Sequence, residues 1–153
     1  MEKELDNARA DIRIAGYLGK VLGLPETDIK SYSPLTLAFI GDSIFDLIIR
    51  TSVVESGNAP VNKLHKRCSN LVQASAQAEL YHMIKEKLTE EETAIFKRGR
   101  NAKSFTSAKN AGVVEYRTAT GLEALMGYLY LTDQMDRLLE LIQPQIHKMV
   151  SIS

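Results

Sequence analysis

Two carboxylates stand alone in long apolar stretches of this sequence, and they are the residues best placed to do chemistry. Asp42 lies inside PLTLAFIGDSIFDLIIR, residues 34–50, and Glu123 lies inside YRTATGLEALMGYLYL, residues 116–131. Both stretches repeat apolar residues at helical spacings of three and four, which indicates buried helices. If the helices cross near these acids, the carboxylates can share a hard divalent cation such as Mg²⁺, which takes oxygen ligands and keeps several waters.

A second interpretation of Asp42 stays open on spacing alone. Because an unpartnered buried carboxylate is costly, Asp42 could equally be a solvated or capped acid at a helix edge. Gly41 beside it lowers helix propensity, so its presence predicts the close approach of another backbone. Asp46, one turn further on, could contact a metal through water, but a solvated or capping acid is the favoured interpretation. Glu115, ahead of the second helix, could approach the site, but a surface charge is favoured.

A basic segment without acids precedes the Glu123 stretch. It reads KRGRNAKSFTSAKN, residues 97–110, and mixes cations with neutral donors, as surfaces that hold phosphate backbones do. By composition alone a solvated loop is favoured, but its place just before the acidic helix strengthens a substrate-holding role. A second basic cluster at residues 63–67 has a weaker case. The cations predicted to contact nucleic acid are Arg98, Arg100, Lys63, Lys66 and Arg67.

Length and composition describe one ordinary globular domain. The chain has 153 residues, of which 44% are apolar and 25% charged, and its formal net charge is zero. Any nucleic-acid surface must therefore be a local patch. The single cysteine, Cys68, argues against a disulfide scaffold or a thiolate zinc site, and we expect a small, partly buried thiol.

Other motifs for enzymes and targeting are missing from the sequence. There is no HExxH zinc motif and no GxxxxGK[ST] phosphate loop. The N-terminal stretch MEKELDNARAD is charged and lacks the apolar core of a signal peptide. No apolar run approaches the roughly 18 residues that a membrane span needs. The expected location is the cytoplasm.

The elements that must position the two acids are all predicted to be helices, with no sheet. The first has an apolar stripe that we expect to pack on the domain, and an interaction arm is the less favoured alternative. Thr89 and Glu92 predict a capping box at the start of a helix. The predicted helices span residues 4–22, 34–56, 60–67, 69–87, 89–99 and 116–131, with a last helix starting at 133 or 134.

The two acidic stretches resemble a pair of helices in the ribonuclease III catalytic domain. PLTLAFIGDSIFDL resembles its signature helix, and TATGLEALMGYLYL resembles its second acidic helix. The similarity extends through VNKLHKRCSNLVQASAQAEL and FKRGRNAKSFTSAKN. Within that family the chain looks most like mini-ribonuclease III, the short bacterial form without a double-stranded-RNA-binding domain. The resemblance covers about residues 34–150, so residues 1–33 form an unmatched helix and connector, and residues 34–153 form the catalytic domain.

The resemblance implies an all-α, Mg²⁺-dependent endoribonuclease that cleaves double-stranded RNA as a homodimer. Asp42 and Glu123 carry over as catalytic acids and metal ligands, and Phe39 as the residue inserted into the partner subunit. Asn101 and Lys103 become the preferred RNA contacts of the basic segment. The resemblance further implies maturation of large-subunit (23S) ribosomal RNA precursors, with a ribosomal protein or pre-ribosome as a further partner.

Two positions depart from the general ribonuclease III pattern. Ala38 stands where that pattern has a glutamate one turn before Asp42, and Thr120 where it has an aspartate one turn before Glu123. Fewer carboxylates should hold a metal more weakly, with more water ligands. The missing acids also support an alternative function, a non-catalytic helical RNA-binding or ribosome-assembly module on the same fold.

Overall fold

The computed structural model describes residues 12–102 and 112–152, and within these ranges the chain forms helices and no strand. The predicted all-α class is therefore confirmed. No helix among the described residues is long and apolar enough to cross a membrane. Short 3₁₀ turns cover Ile29–Ser31 and Lys85–Lys87. The α-helices are α1 (Ile14–Val21), α2 (Pro34–Glu55), α3 (Val61–Val72), α4 (Ala74–Ile84), α5 (Glu90–Asn101), α6 (Gly112–Leu131) and α7 (Met135–Ile152).

Helix α6 is the centre of the fold. It packs against α2, α5 and α4, and from Ala124 to Tyr130 every residue is buried. A helix that is apolar on nearly all sides is stable only when neighbours cover it all round. Helix α2 supplies one side of that cover and begins as predicted, with Pro34 in the first position and the Ser33 hydroxyl accepting a hydrogen bond from the Thr36 backbone.

Glycines let α2 and α6 cross with their backbones in contact. A Cβ on Gly41 would collide with the Glu123 carbonyl oxygen and lie 2.8 Å from the Gly127 nitrogen. A Cβ on Gly127 would collide in turn with the Leu37 carbonyl oxygen. The close approach predicted from Gly41 is therefore confirmed, and it occurs beside both acids.

A buried ion pair ties α5 to α7. Glu92 is 5% exposed, and its carboxylate accepts hydrogen bonds of 2.9 Å from both Nε and NH2 of Arg137. The same carboxylate accepts a bond from the Thr89 backbone N–H, while the Thr89 hydroxyl accepts one from the Glu92 N–H. The predicted capping box is confirmed, and Glu92 also anchors a distant helix.

The boundary between α3 and α4 differs from the prediction of a short helix at 60–67 and a long one at 69–87. Helix α3 continues through the buried Cys68 and ends at Val72, because the Gln73 backbone is extended. The Gln77 side chain donates a 2.8 Å hydrogen bond to the Val72 carbonyl and so satisfies the end of α3. This non-helical bond is a tertiary feature that hydrophobic spacing does not reveal. The buried thiol itself confirms the expectation for Cys68.

Helix α1 does not pack as expected. Of the predicted helix 4–22, residues 4–11 lie outside the described residues, Ile12 and Arg13 are not helical, and the helix begins at Ile14. The apolar stripe is exposed, with Tyr17 67% and Leu22 64% accessible. The helix contacts the domain through Ala15 and through the Gly16 N–H, which donates a 3.0 Å hydrogen bond to Asp133. These small contacts leave the stripe itself without cover in the single chain.

Candidate active site

One pocket brings Asp42 and Glu123 together. It has a volume of about 420 Å³ and lies between α2 and α6, with the junction of α3 and α4 closing one side. The close glycine crossing of α2 and α6 puts both acids at its wall. Its lining residues are Leu35, Ala38, Phe39, Asp42, Val72, Ala74, Gln77, Tyr116, Ala119, Thr120 and Glu123.

The two carboxyl groups are directly coupled. Asp42 is exposed, whereas Glu123 is partly buried. Burial, the hydrogen bond with Asp42 and the negative charge of Asp42, in that order, raise the pKa of Glu123 from 4.5 to about 8. Near neutral pH the protonated form of Glu123 is therefore favoured, and it is hydrogen-bonded to Asp42. A divalent cation would replace that proton and remove the repulsion between the two carboxylates.

The positions that lack the expected acids face the same pocket. Ala38 and Thr120 both line it, so a carboxylate at either position would have reached the same space. The Thr120 hydroxyl donates a 3.0 Å hydrogen bond to the Tyr116 carbonyl within α6. Among the described residues no group of three or more His, Cys, Asp or Glu side chains could hold a metal. The protein ligands available here are two carboxylates and neutral oxygens.

The two weaker acidic candidates lie outside the pocket lining. Asp46 forms a 2.9 Å ion pair with Arg50 on the exposed side of α2. Glu115 is exposed in the first turn of α6. Both therefore fit the favoured interpretations, a solvated acid and a surface charge.

The end of α5 brings part of the basic segment close to Glu123. A Cβ on Gly99 would lie 2.7 Å from the Ala124 Cβ and 3.2 Å from the Thr120 carbonyl oxygen. Arg98 and Arg100 are the residues on either side of Gly99 in α5.

The guanidinium group of Arg100 lies 5.8 Å from the centre of the Phe96 ring, and its Nε donates a 3.3 Å hydrogen bond to Asn101. Arg98 and Asn101 are exposed, and Lys103 lies outside the described residues.

The basic cluster on α3 is split by the structure. Lys63 and Lys66 are exposed, whereas Arg67 lines a separate groove between α2 and α7, about 1190 Å³ in volume. The Arg67 Nε is buried and has no hydrogen-bond acceptor among the described residues. None of these three cations lines the acidic pocket.

Sequence reasoning missed one residue of the pocket, Gln77. It is 3% exposed and lies on α4 among small residues. The available signal was a polar amide inside the run ASAQAEL, whose small residues allow another helix to approach closely. Only the folded chain shows that this run reaches the acidic pocket.

Comparison with known proteins places this geometry in a family. Residues 35–134 match the Ribonuclease III domain. The chain belongs to the ribonuclease III domain family, and it is an endoribonuclease. The non-catalytic module is therefore not the function of this chain.

Its relatives include proteins named Mini-ribonuclease 3. The one from Enterococcus faecalis is 50% identical over 79% of this chain and 93% of its own length. The one from a Thermoanaerobacter species is 48% identical over 84% of this chain and 90% of its own. An X-ray crystal structure of a Fusobacterium nucleatum protein superposes with a TM-score of 0.72 at 36% identity, and covers 80% of this chain and 98% of that one. The likeness to mini-ribonuclease III is thus confirmed.

Proposed function

We propose that this endoribonuclease cleaves double-stranded RNA with a Mg²⁺ ion held by Asp42 and Glu123. The observation that carries the proposal is the pair of coupled carboxyl groups in an open pocket, one of which has a pKa raised to about 8. Two adjacent acids without a cation are unfavourable, and a hard divalent cation with oxygen ligands relieves that repulsion. When bound, Mg²⁺ would lower the pKa of a water and act as a Lewis acid toward the phosphoryl oxygens.

The chain's own residues have distinct parts in this proposal. Asp42 is exposed and so presents its carboxylate to the pocket mouth, where an RNA phosphate would arrive. Glu123 is less exposed than Asp42 and would hold the cation as the deprotonated carboxylate. Because Ala38 and Thr120 add no charge, we expect weak metal binding without RNA, in the roughly millimolar range of weak oxygen-ligand sites.

The cations at the end of α5 are proposed to hold the RNA. Arg98 and Arg100 flank the contact of α5 with the α6 turn that precedes Glu123. With Asn101 and Lys103 they would track the phosphate backbone and read A-form shape, since the deep, narrow major groove of RNA hides the base edges. Lys63 and Lys66 are the next candidates, and Arg67 the weakest, because it lines the other groove.

A homodimer built on α2 is also proposed. Phe39 is 79% exposed beside the acidic pocket, with the partly exposed Leu35 one turn away. An exposed aromatic next to further apolar surface is typical of an interface anchor. Phe39→Ala should weaken self-association by a few kcal/mol on the scale of interface hot spots. Sedimentation that shows a wild-type monomer at micromolar concentration would contradict the dimer.

The biological substrate is proposed from the relatives. Because they are bacterial proteins named Mini-ribonuclease 3, we infer action in the cytoplasm on a 23S ribosomal RNA precursor, where a ribosomal protein or pre-ribosome would be a further partner. Comparing precursor ends in cells with and without the protein tests this inference. Unchanged ends would point to another duplex substrate.

The central experiment is cleavage of a long RNA duplex with Mg²⁺, with and without chelator. We expect cleavage that requires the metal and that rises with Mg²⁺ in the millimolar range. A matched single-stranded RNA should be cut much more slowly. Equal cleavage in excess chelator would show that no divalent metal is needed.

A further inference from the structure

Gln77 carries an unexplained buried polar atom. Its side chain is 3% exposed, and its Nε2 donates a 2.8 Å hydrogen bond to the Val72 carbonyl at the end of α3. Its Oε1 is buried and accepts no hydrogen bond from any described residue. Leaving a buried acceptor unsatisfied costs about 1–3 kcal/mol, so native structures seldom retain one without a reason.

The location of Gln77 suggests that reason. It lines the acidic pocket together with Asp42 and Glu123, and also with Ala38 and Thr120, the two positions that lack the expected acids. The bond from Nε2 to Val72 fixes which end of the amide is oxygen. The atom of this pocket residue that is left without a partner is thus an acceptor, which suits a cation or a water bound to one and does not suit a phosphate oxygen.

We propose that Gln77 is a positioning residue of the metal site, whose Oε1 accepts a hydrogen bond from a water in the cation's shell. A neutral oxygen would then supply part of the orientation that acids at positions 38 and 120 would otherwise give. This inference rests on the proposed metal-dependent function. The tie to Val72 holds the amide in place before the cation arrives, so its orientation adds little ordering cost.

Binding of Mn²⁺ in the absence of RNA, followed by electron paramagnetic resonance, tests the inference without relying on activity. Gln77→Met removes the acceptor and keeps the size of the side chain, and should weaken Mn²⁺ binding by about tenfold, as loss of an outer-shell partner does. Gln77→Glu loses the donor to the Val72 carbonyl, as Gln77→Met does, but it keeps an acceptor oxygen and adds a negative charge, and should therefore strengthen Mn²⁺ binding. The two variants therefore shift the affinity in opposite directions.

Gln145→Met is the matched control. Gln145 is the other glutamine whose buried Oε1 has no partner among the described residues, and it lies on α7 outside the acidic pocket lining. The Gln145→Met variant should bind Mn²⁺ with the affinity of the wild type. Thermal melting without metal identifies any variant that fails to fold; if Gln77→Met does, Gln77→Glu carries the test alone and must bind more tightly.

The remaining outcomes separate this inference from the proposed function. Asp42→Asn should lose most Mn²⁺ binding. If Asp42→Asn binds like wild type, the metal site itself is wrong. If Asp42→Asn loses binding while Gln77→Met does not, or if Gln77→Glu and Gln77→Met weaken it equally, Gln77 only closes the end of α3 and the inference is overturned.

Discussion

Two glutamates that are at least partly buried, Glu92 and Glu123, have pKa values shifted in opposite directions. Glu92 is 5% exposed at the start of α5, where Arg137 and the Thr89 backbone satisfy it. The Arg137 hydrogen bond is the largest cause that lowers the pKa of Glu92. Glu123 is partly buried on α6, where its neighbour is another acid, and its pKa is raised to about 8. Burial raises the pKa of both groups and is the largest cause at Glu123, whereas at Glu92 the hydrogen bond from Arg137 outweighs it.

The difference separates a structural acid from a functional one. Glu92 gains its compensation from the chain and is fixed in the folded state. Glu123 has no cationic partner among the described residues, and its environment favours the neutral form. Strongly perturbed acids in a pocket are candidates for function for this reason, whereas an acid satisfied by an arginine is usually part of the scaffold.

The largest expected effect is on cleavage. Glu123→Gln and Asp42→Asn keep the size of the side chains and remove charge, so each should reduce the rate of duplex cleavage by about a thousandfold or more, the scale of losing a major electrostatic contribution. Glu92→Gln should change the rate little below its melting temperature. Rates are measured on one RNA duplex in Mg²⁺. Near wild-type cleavage by both site variants would show that the two acids are not catalytic.

The glycine crossing that brings Asp42 and Glu123 together should be the next most sensitive feature. Gly41→Ala should destabilise the fold by about 3 kcal/mol, the upper range of overpacking, because its Cβ meets the backbone of α6. Gly19→Ala is the control, since a Cβ there meets nothing within 4 Å and alanine favours helix α1. Urea unfolding measures both. Equal free energies of unfolding for the two variants would mean that α2 and α6 can move apart without a loss of stability.

Glu92→Gln should lower the free energy of unfolding by about 2 kcal/mol, because it leaves the partly buried Arg137 guanidinium without its counter-charge. We place the value below that of a fully buried pair, since Arg137 is 25% exposed. Urea unfolding near neutral pH, with Glu140→Gln as the control on the exposed partner of Arg137, provides the measurement. An equally large decrease in the free energy of unfolding of Glu140→Gln would show that the ion pair with Glu92 contributes no more to stability than the exposed ion pair with Glu140.

The two acids should give opposite pH dependences of stability. The raised pKa of Glu123 means that the folded metal-free protein holds more protons than the unfolded chain between pH 4.5 and about 8, so its stability falls as pH rises through that window. Glu123→Gln should remove this loss, worth on the order of 1–2 kcal/mol after allowance for solvent access.

The lowered pKa of Glu92 predicts the reverse. Its contribution is complete above the ordinary value of 4.5 and is lost as pH falls through its lowered pKa. Thermal melting of wild type, Glu123→Gln and Glu92→Gln across this pH range, in chelator, compares the two. Parallel curves for wild type and Glu123→Gln would mean that Glu123 titrates normally.

The sequence by itself determined the features that depend on near neighbours along the chain. Helical spacing predicted an all-α protein, Pro34 marked the start of α2, and Thr89 with Glu92 specified a cap three residues apart. Gly41 predicted a close helix contact, because a glycine inside a helix lowers stability unless it allows such a contact. Asp42 and Glu123 stood out as acids in apolar helices, and the family resemblance paired them.

Only the tertiary structure decided which distant group meets which. Nothing near Glu92 in sequence shows that Arg137 will neutralise it, and nothing near Gln77 shows that its amide will end α3 and reach the acidic pocket. The exposure of the apolar stripe of α1 likewise depends on the tertiary structure, because only the arrangement of the other helices decides whether a surface is left for the stripe to cover. Local patterns fix helices because their energetics are local, whereas the charge state of a buried group depends on partners that folding brings from far along the chain.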